Sequence, residues 1–315
     1  METGLTKQTA EALPARVRGF IEASAADNTK RGYASDFRQF AAWCESAGQS
    51  ALPASPVTVA DYLAHLAQSG RKVSTIERAK AAVKMAHELA GHESPTGAKI
   101  VTVAVKGIRR SLGVAKAKKS PVLTVDVRAM LSALPDTLAG KRDRALLLIG
   151  YAGAFRRSEL AGLRLEDVAQ TAEGVRVFLP RSKTDQEGKG RYIGIKRGKS
   201  PATCPVRALA DWLRAAGISA GPLFRAVGRY GTVKDALTPQ SVALIVKRAA
   251  RAAGLDSSAY SGHSLRAGFV TQGALNGATE ANIMRQTGHE SSDTVRGYMR
   301  IANVFTDNVS GLLGL

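Results

Sequence analysis

The sequence predicts a mainly α-helical protein in two parts, the second of which carries a small antiparallel β-hairpin. Three observations predict it. Residues 28–113 keep the helical period, residues 174–196 change to the alternation of strands, and "GVAKAKKSP" (113–121) separates the two parts with no large apolar anchor beyond Val114. With 315 residues the chain can bury two ordinary cores, and 44% hydrophobic with 23% charged residues is a globular composition.

The first part reads as four helices. In "NTKRGYASDFRQFAAWCESAG", Tyr33, Phe37, Phe40 and Trp43, with Ala41 and Cys44, share one helical face, and Gly48 stops the run. "TVADYLAHLAQSG" repeats the scheme, with Thr58 as N-cap and Gly70 as stop. "STIERAKAAVKMAHELAG" opens with Ser74 and Glu77 at the spacing of a capping box and ends at Gly91. "GAKIVTVAVKGIRRSLG" predicts the fourth helix, against the strand preference of its β-branched residues. The linker that follows has three lysines and a closing proline. It reads equally as a segment lying along a phosphate backbone or as a solvated tether.

In the second part, "TVDVRAMLSAL" and "KRDRALLLIGYAGAFRRSELAGL" each predict a helix, the latter with an apolar run at 145–149. "GVRVFLP" and "RYIGIK" then alternate as strands around "RSKTDQEGKG", a polar, glycine-bearing turn. Helices return with "TPQSVALIVKRAARAAG", where Thr238 caps, Pro239 takes the first turn and Gly254 stops. Three more cover about 263–276, 279–287 and 291–302, the last two opened by Thr279 and by Ser291 or Ser292.

Charge narrows the function. The net charge is +19, divided as +8 over residues 1–120 and +11 over the rest, so it is no detachable tail. Such a field attracts polyanions, of which nucleic acid is the commonest; a solvated basic surface or an anionic membrane are the alternatives. Two cysteines, Cys44 and Cys204, cannot build a disulfide framework or a tetrahedral thiolate site. Neither a signal peptide nor a run of membrane-span length is visible, which places the protein in the cytoplasm and off the membrane.

Five histidines occur, and two of them, His263 in "SGHSLRAG" and His289 in "TGHESSDTVRGYMR", lie close to Tyr298 along the chain. Taken singly, each reads blandly: His263 and His289 as capping or packing residues, Lys183 as a turn lysine, Tyr298 as a half-buried amphipathic ring. No Cys or His lies at metal-ligand spacing from either histidine, so no metal and no cofactor is expected. Taken together, they suit a reluctant reaction. A phenol with a pKa near 10 attacking an anionic phosphodiester needs cations around the phosphate and proton carriers on both sides. Arg156 or Arg157, Lys183, His263, Arg266 and His289 supply such groups. Glu159 reads as a structural partner for a nearby arginine, and His65, His87 and His92 carry no assigned chemistry.

In this order, the segments resemble the tyrosine recombinases, the phage-integrase family of site-specific DNA recombinases. "YAGAFRRSEL" resembles the family's first arginine box and selects Arg156; "RSKTDQ" resembles the hairpin that presents the catalytic lysine, here Lys183. "HSLRAG" matches the His-x-x-Arg box at His263 and Arg266, and "TGHESSDTVRGYMR" matches the final box with His289 and the nucleophile Tyr298. The sequence departs from the family at Gly153-Ala154-Phe155 and at Ala267, neither of which removes a catalytic group.

The resemblance implies an N-terminal helical, SAM-like DNA-binding domain (1–112), the basic linker (113–121) and an α+β catalytic domain with a C-terminal tail (122–315), closing as a clamp around DNA. It implies metal-independent cleavage and rejoining through a covalent 3′-phosphotyrosine. Arg156 and Arg266 would clamp the phosphate, Lys183 would protonate the leaving 5′ oxygen, His263 would take the tyrosine proton, and His289 would bond the phosphate. Its partners would be double-stranded DNA with paired recombination sites, a homotetramer of this chain and an accessory or directionality protein. The tail "IANVFTDNVSGLLGL" would dock on a neighbouring subunit rather than on its own domain. Relaxation of DNA by type IB topoisomerase chemistry, or DNA binding without catalysis, are the alternatives. Whether the task is integration, excision or resolution is not legible.

Overall fold

The computed structural model describes residues 27–114, 119–182, 185, 188–302, 310 and 313. The chain divides into two compact units, Met1–Ala117 and Lys118–Leu315.

The first unit is helical: α1 (Asp27–Ser46), α2 (Pro56–Gln68), α3 (Val73–Leu89) and α4 (Lys99–Leu112). Its core gathers Phe40, Cys44, Val59, Leu63, Ile76, Val83 and Val101, with Phe37 and Trp43 packed against it, so the predicted α1 face is the buried one. Tyr62 joins this face, its ring 5.0 Å from Phe40 and 5.3 Å from Trp43. The buried Asp36 accepts two hydrogen bonds from Arg78 at 2.6 and 2.9 Å, which pins α1 to α3 by a charge-assisted pair. His87 is a satisfied core histidine. Its Nε2 accepts from the Ala54 N–H at 2.9 Å, which leaves Nδ1 to donate to Val83 O at 2.8 Å.

Two of the expected caps in this unit differ. Helix α2 starts at Pro56 with Ser55 as N-cap, and Thr58 instead donates its own N–H to Ser55 Oγ at 3.0 Å. Proline needs no N–H partner in a first turn, so the helix extends upstream past Thr58. Helix α3 starts at Val73, and its N-cap Lys72 makes no side-chain cap, so Ser74 lies inside the first turn and no capping box forms. Glu77 is drawn away to Arg109 of α4.

The second unit contains α5 (Thr124–Ser132), α6 (Leu138–Ala152), α7 (Arg157–Gly162), β1 (Val168–Gln170), β2 (Gly174–Leu179), β3 (Arg191–Lys196), α8 (Pro205–Ala216), β4 (Arg225–Val227), β5 (Val233–Ala236), α9 (Pro239–Ala252), α10 (Ser264–Leu275), α11 (Glu280–Thr287) and α12 (Ser292–Ala302). Helix α6 is buried on all sides along Ala145–Ile149, because α8 and α10 both pack against it. The strands β2 and β3 pair antiparallel from Gly174 opposite Lys196 to Leu179 opposite Arg191, as the alternation predicts. A short third strand, β1, extends this sheet from the β2 side. Helix α8 and the hairpin β4–β5 occupy part of residues 197–237, which the sequence reading leaves unassigned. Val206, Leu209 and Trp212 of α8 are buried at helical spacing.

The expected single helix over 141–163 is in fact two. Helix α6 ends at Ala152, and Gly153-Ala154-Phe155 turns the chain before α7 begins at Arg157. Ala154 takes a left-handed φ of 52°, and Phe155 swings into the core at 1% exposure. A Cβ on Gly153 would stand 2.2 Å from the Phe155 ring, so glycine is required there for this turn to close. The expected N-caps of α9 and α11 are present: Thr238 Oγ1 accepts from Ser241 N at 3.1 Å and Thr279 Oγ1 from Asn282 N at 3.3 Å.

Candidate active site

The turn that splits α6 from α7 does the first positioning. It places Arg156 at the N-cap of α7, where Glu159 accepts twice, from the Arg156 backbone N–H at 2.8 Å and from its guanidinium at 2.6 Å. Glu159 is thus the structural carboxylate expected of it, nearly buried and committed to Arg156. The same turn offers the carbonyl of Ala154, which accepts from Arg266 Nη1 at 2.9 Å. The turn at 153–155 therefore holds Arg266 through a backbone carbonyl and leads directly into Arg156.

Arg266 rises from the first turn of α10 and is 1% exposed, among the largest fully buried side chains of the protein. Its second nitrogen, Nη2, lies 3.1 Å from His289 Nε2. Burial first, and then the charge of Arg156, pushes its pKa down to about 10, which leaves it a cation at neutral pH.

His289 follows Gly288, the left-handed C-cap of α11. Its Nδ1 lies 2.7 Å from Thr287 Oγ1, and that hydroxyl also reaches Ile283 O at 2.7 Å. A carbonyl can only accept, so the hydroxyl donates to Ile283 and accepts from His289. Nδ1 therefore carries the proton and Nε2 is the acceptor for Arg266. Burial, then Arg266, Arg156, His263 and Arg191, pushes the His289 pKa down to about 4, in keeping with a neutral ring.

His263 precedes α10. Partial desolvation, then the charges of Arg266, Arg156 and Arg157, lowers its pKa even though the residue keeps an exposed edge. It too is a neutral base at pH 7. Tyr298, on α12, packs against the small cluster of Val270, Ala274, Ile283 and Val295. Burial raises its phenol pKa and the nearby charge of Arg266 opposes the rise. The phenol is protonated at rest and needs a base to attack.

Five of the six expected residues, Arg156, His263, Arg266, His289 and Tyr298, thus come within one electrostatically coupled site. Lys183 lies outside the described residues. Between the two candidate arginines, Arg156 is the one whose charge acts on Arg266 and His289, while Arg157 is exposed and acts on His263. The sequence reading misses two participants. Thr287 sets the His289 tautomer, and its place two residues before the histidine across a glycine is the signal. Arg191, at the start of β3, is 3.9 Å from Glu159 and has no sequence signal. Three guanidinium groups around one carboxylate leave a surplus of positive charge, as an oxyanion of phosphate would require. Among the described residues, no group of three or more His, Cys, Asp or Glu side chains could hold a metal ion.

The chain belongs to the phage integrase family: residues 122–303 match the family's catalytic model, and residues 20–94 match its N-terminal SAM-like domain. It is 40% identical over 304 residues to an integrase/recombinase XerD homolog of Selenomonas ruminantium, covering 95% of this chain and 89% of that one. It is 25% identical over 284 residues to the recombinase Cre of Escherichia phage P1, covering 84% and 81%. The fold resembles that of the XerH site-specific recombinase bound to palindromic difH substrate in a post-cleavage complex, with TM-score 0.61, 18% identity and coverage of 83% and 73%. It also resembles a lambda integrase dimer bound to a COC′ core site, with TM-score 0.59, 14% identity and coverage of 87% and 72%. The chain is a tyrosine recombinase of this family.

Proposed function

We infer that the protein performs site-specific DNA recombination by cleaving and rejoining DNA strands through a covalent 3′-phosphotyrosine. The observation that carries this reading is a buried cation, Arg266, bonded to a neutral His289 and coupled in charge to Arg156, His263 and Tyr298. Tyr298 Oη attacks the phosphorus and its proton passes to His263, which is neutral and can accept it. The P–O5′ bond breaks, Lys183 protonates the leaving 5′ oxygen, and the DNA 3′ end stays on Tyr298. A 5′ hydroxyl of another strand reverses these steps and regenerates the phenol. The phosphotyrosine conserves the ester bond, so no ATP is consumed.

Arg156 and Arg266 face the non-bridging oxygens, where planar guanidinium forks suit spread charge. His289 presents a lone pair at Nε2 toward Arg266, so it bonds the phosphate only after taking up a proton. The arriving negative charge favours that uptake. The residues of 1–112 and the linker add phosphate contacts to the duplex. Paired sites and strand exchange call for a tetramer of this chain, with the tail as the contact between neighbours and an accessory protein able to set direction. Of that tail, only Ile301, Ala302, Ser310 and Leu313 are among the described residues. No helix among the described residues is long and apolar enough to cross a membrane, and the work is assigned to the cytoplasm, where the DNA lies. Recombination is favoured over topoisomerase-like relaxation because the relatives are recombinases.

The test is covalent trapping on a duplex carrying the protein's own site. Wild-type protein should form a denaturant-resistant adduct in excess EDTA, since guanidinium groups take the part a metal would play. Tyr298→Phe should form none while binding DNA within about tenfold of wild type, roughly 1.4 kcal/mol. An adduct on Tyr298→Phe, or an activity that magnesium restores after EDTA, would overturn the reading.

A further inference from the structure

Arg191 opens strand β3, directly after the hairpin turn that holds Lys183, and its guanidinium points into the site rather than to solvent; the side chain is 20% exposed. Its Nη1 donates to Gln286 O at 2.8 Å. Its Nη2 lies 3.9 Å from Glu159 Oε2, the oxygen that accepts the Arg156 backbone N–H. Its Nε and Nη2 are buried without a hydrogen-bond partner, an uncommon and costly state for a charged group. Gly288 leaves the room for it: a Cβ there would stand 2.7 Å from Arg191 Nε. The Gln286 side chain completes the joint by donating to Gly194 O of β3 at 3.0 Å and to Ala152 O at the end of α6 at 3.3 Å. One cation therefore meets the three segments that carry Arg156, His289 and the Lys183 hairpin.

Resting on the recombinase reading above, we propose that Arg191 is a positioning residue for strand cleavage. It holds Glu159, and through it Arg156, in register with the Gln286–His289 turn, so that the phosphate clamp is assembled before DNA arrives. A cation that served stability alone would be expected to complete its hydrogen bonds. This one leaves two nitrogens, Nε and Nη2, unmet while lying against the partner of Arg156 and the glycine before His289. Its charge also acts on the same groups, lowering the pKa of His289 after burial, Arg266, Arg156 and His263.

The experiment measures single-turnover cleavage by full-length Arg191→Met on two duplexes, one ordinary and one with sulfur at the bridging 5′ position. Sulfur leaves without a proton, so that substrate relieves a defect in the acid but not in the phosphate clamp. Arg191→Met should bind DNA within about threefold of wild type and cleave both duplexes about 10- to 100-fold more slowly. Arg191→Lys, which keeps the charge but cannot bridge Gln286 O and Glu159 together, should recover part of the rate. Should the Met variant fail to fold, Arg191→Lys decides by the same criteria, with a rate about tenfold below wild type as the expected result. A rate within threefold of wild type at saturating protein, whatever the melting temperature, would show a merely structural cation and overturn the proposal. Recovery on the sulfur substrate would overturn it too, since Arg191 would then serve the Lys183 hairpin. Absence of an adduct on wild-type protein would instead refute the recombinase reading itself, and this inference with it.

Discussion

Because Thr287 spends its one hydroxyl proton on Ile283 O, the His289 ring is fixed in a single neutral tautomer that accepts from Arg266. A proton added to His289 would turn that acceptor into a donor facing a buried guanidinium. The folded protein resists this down to about pH 4, whereas an imidazole in the unfolded chain titrates near its ordinary value of 6.5. Between these values the unfolded chain binds more protons, so stability rises with pH there and is lost as pH falls from about 6.5 toward 4. Melting temperature followed over this window should fall more shallowly in His289→Asn than in wild type. His263 shifts in the same direction and supplies part of the slope that remains. Parallel profiles would mean that His289 is already charged in the folded state.

Packing between elements depends at Gly268 on a missing side chain. Helix α10 crosses the chain just after the linker, where Val122 N donates to Ser264 O at 3.0 Å. One turn further along, a Cβ on Gly268 would stand 1.8 Å from Val122 O, a backbone atom that cannot step aside. Gly268→Ala should therefore destabilise the second unit by about 1–3 kcal/mol or more, read as a lower melting temperature, and slow cleavage because Arg266 shares the same helix. Gly107 in α4 is the control: it is exposed, and a Cβ there meets nothing within 4 Å. Gly107→Ala should stabilise the first unit by about 0.5–1 kcal/mol, as alanine does in a helix interior. Equal effects from the two substitutions would contradict the packing of α10 on Val122. The faces of these helices are legible in their 3.6-residue period. The break at 153–155 is not, because the apolar run continues through it and only the Phe155 ring, seated in the core, shows why the helix must stop.

For the whole molecule, a net charge of +19 favours contacts to many phosphates, and the number of those contacts sets how DNA binding responds to salt. Each phosphate neutralised releases counterions, so a protein with six to ten such contacts loses about 10³–10⁵ in affinity between 50 and 200 mM salt. Fluorescence titrations over that range should show a steep linear fall of log K with log salt. Tyr298→Phe should keep the wild-type slope, since the phenol neutralises no phosphate. Arg156→Ala should reduce the slope by about one. An unchanged slope for Arg156→Ala would remove that arginine from the phosphate.

The sequence alone determined the chemistry: which residue types occur, in what order, and at what spacing within each segment. Arginine, lysine, histidine and tyrosine in four short segments are enough to name the family, because each segment folds locally and carries its reactive group with it. Tertiary structure decided the rest. Arg266 meets the carbonyl of a residue 112 positions away, and Arg191 meets one 95 positions away. Contacts over such separations arise from how α6, β3, α10 and α11 pack, and no local periodicity encodes them. Arg156 and Arg157 likewise stand side by side in one segment, yet the fold pairs Arg156 with Glu159 and leaves Arg157 exposed.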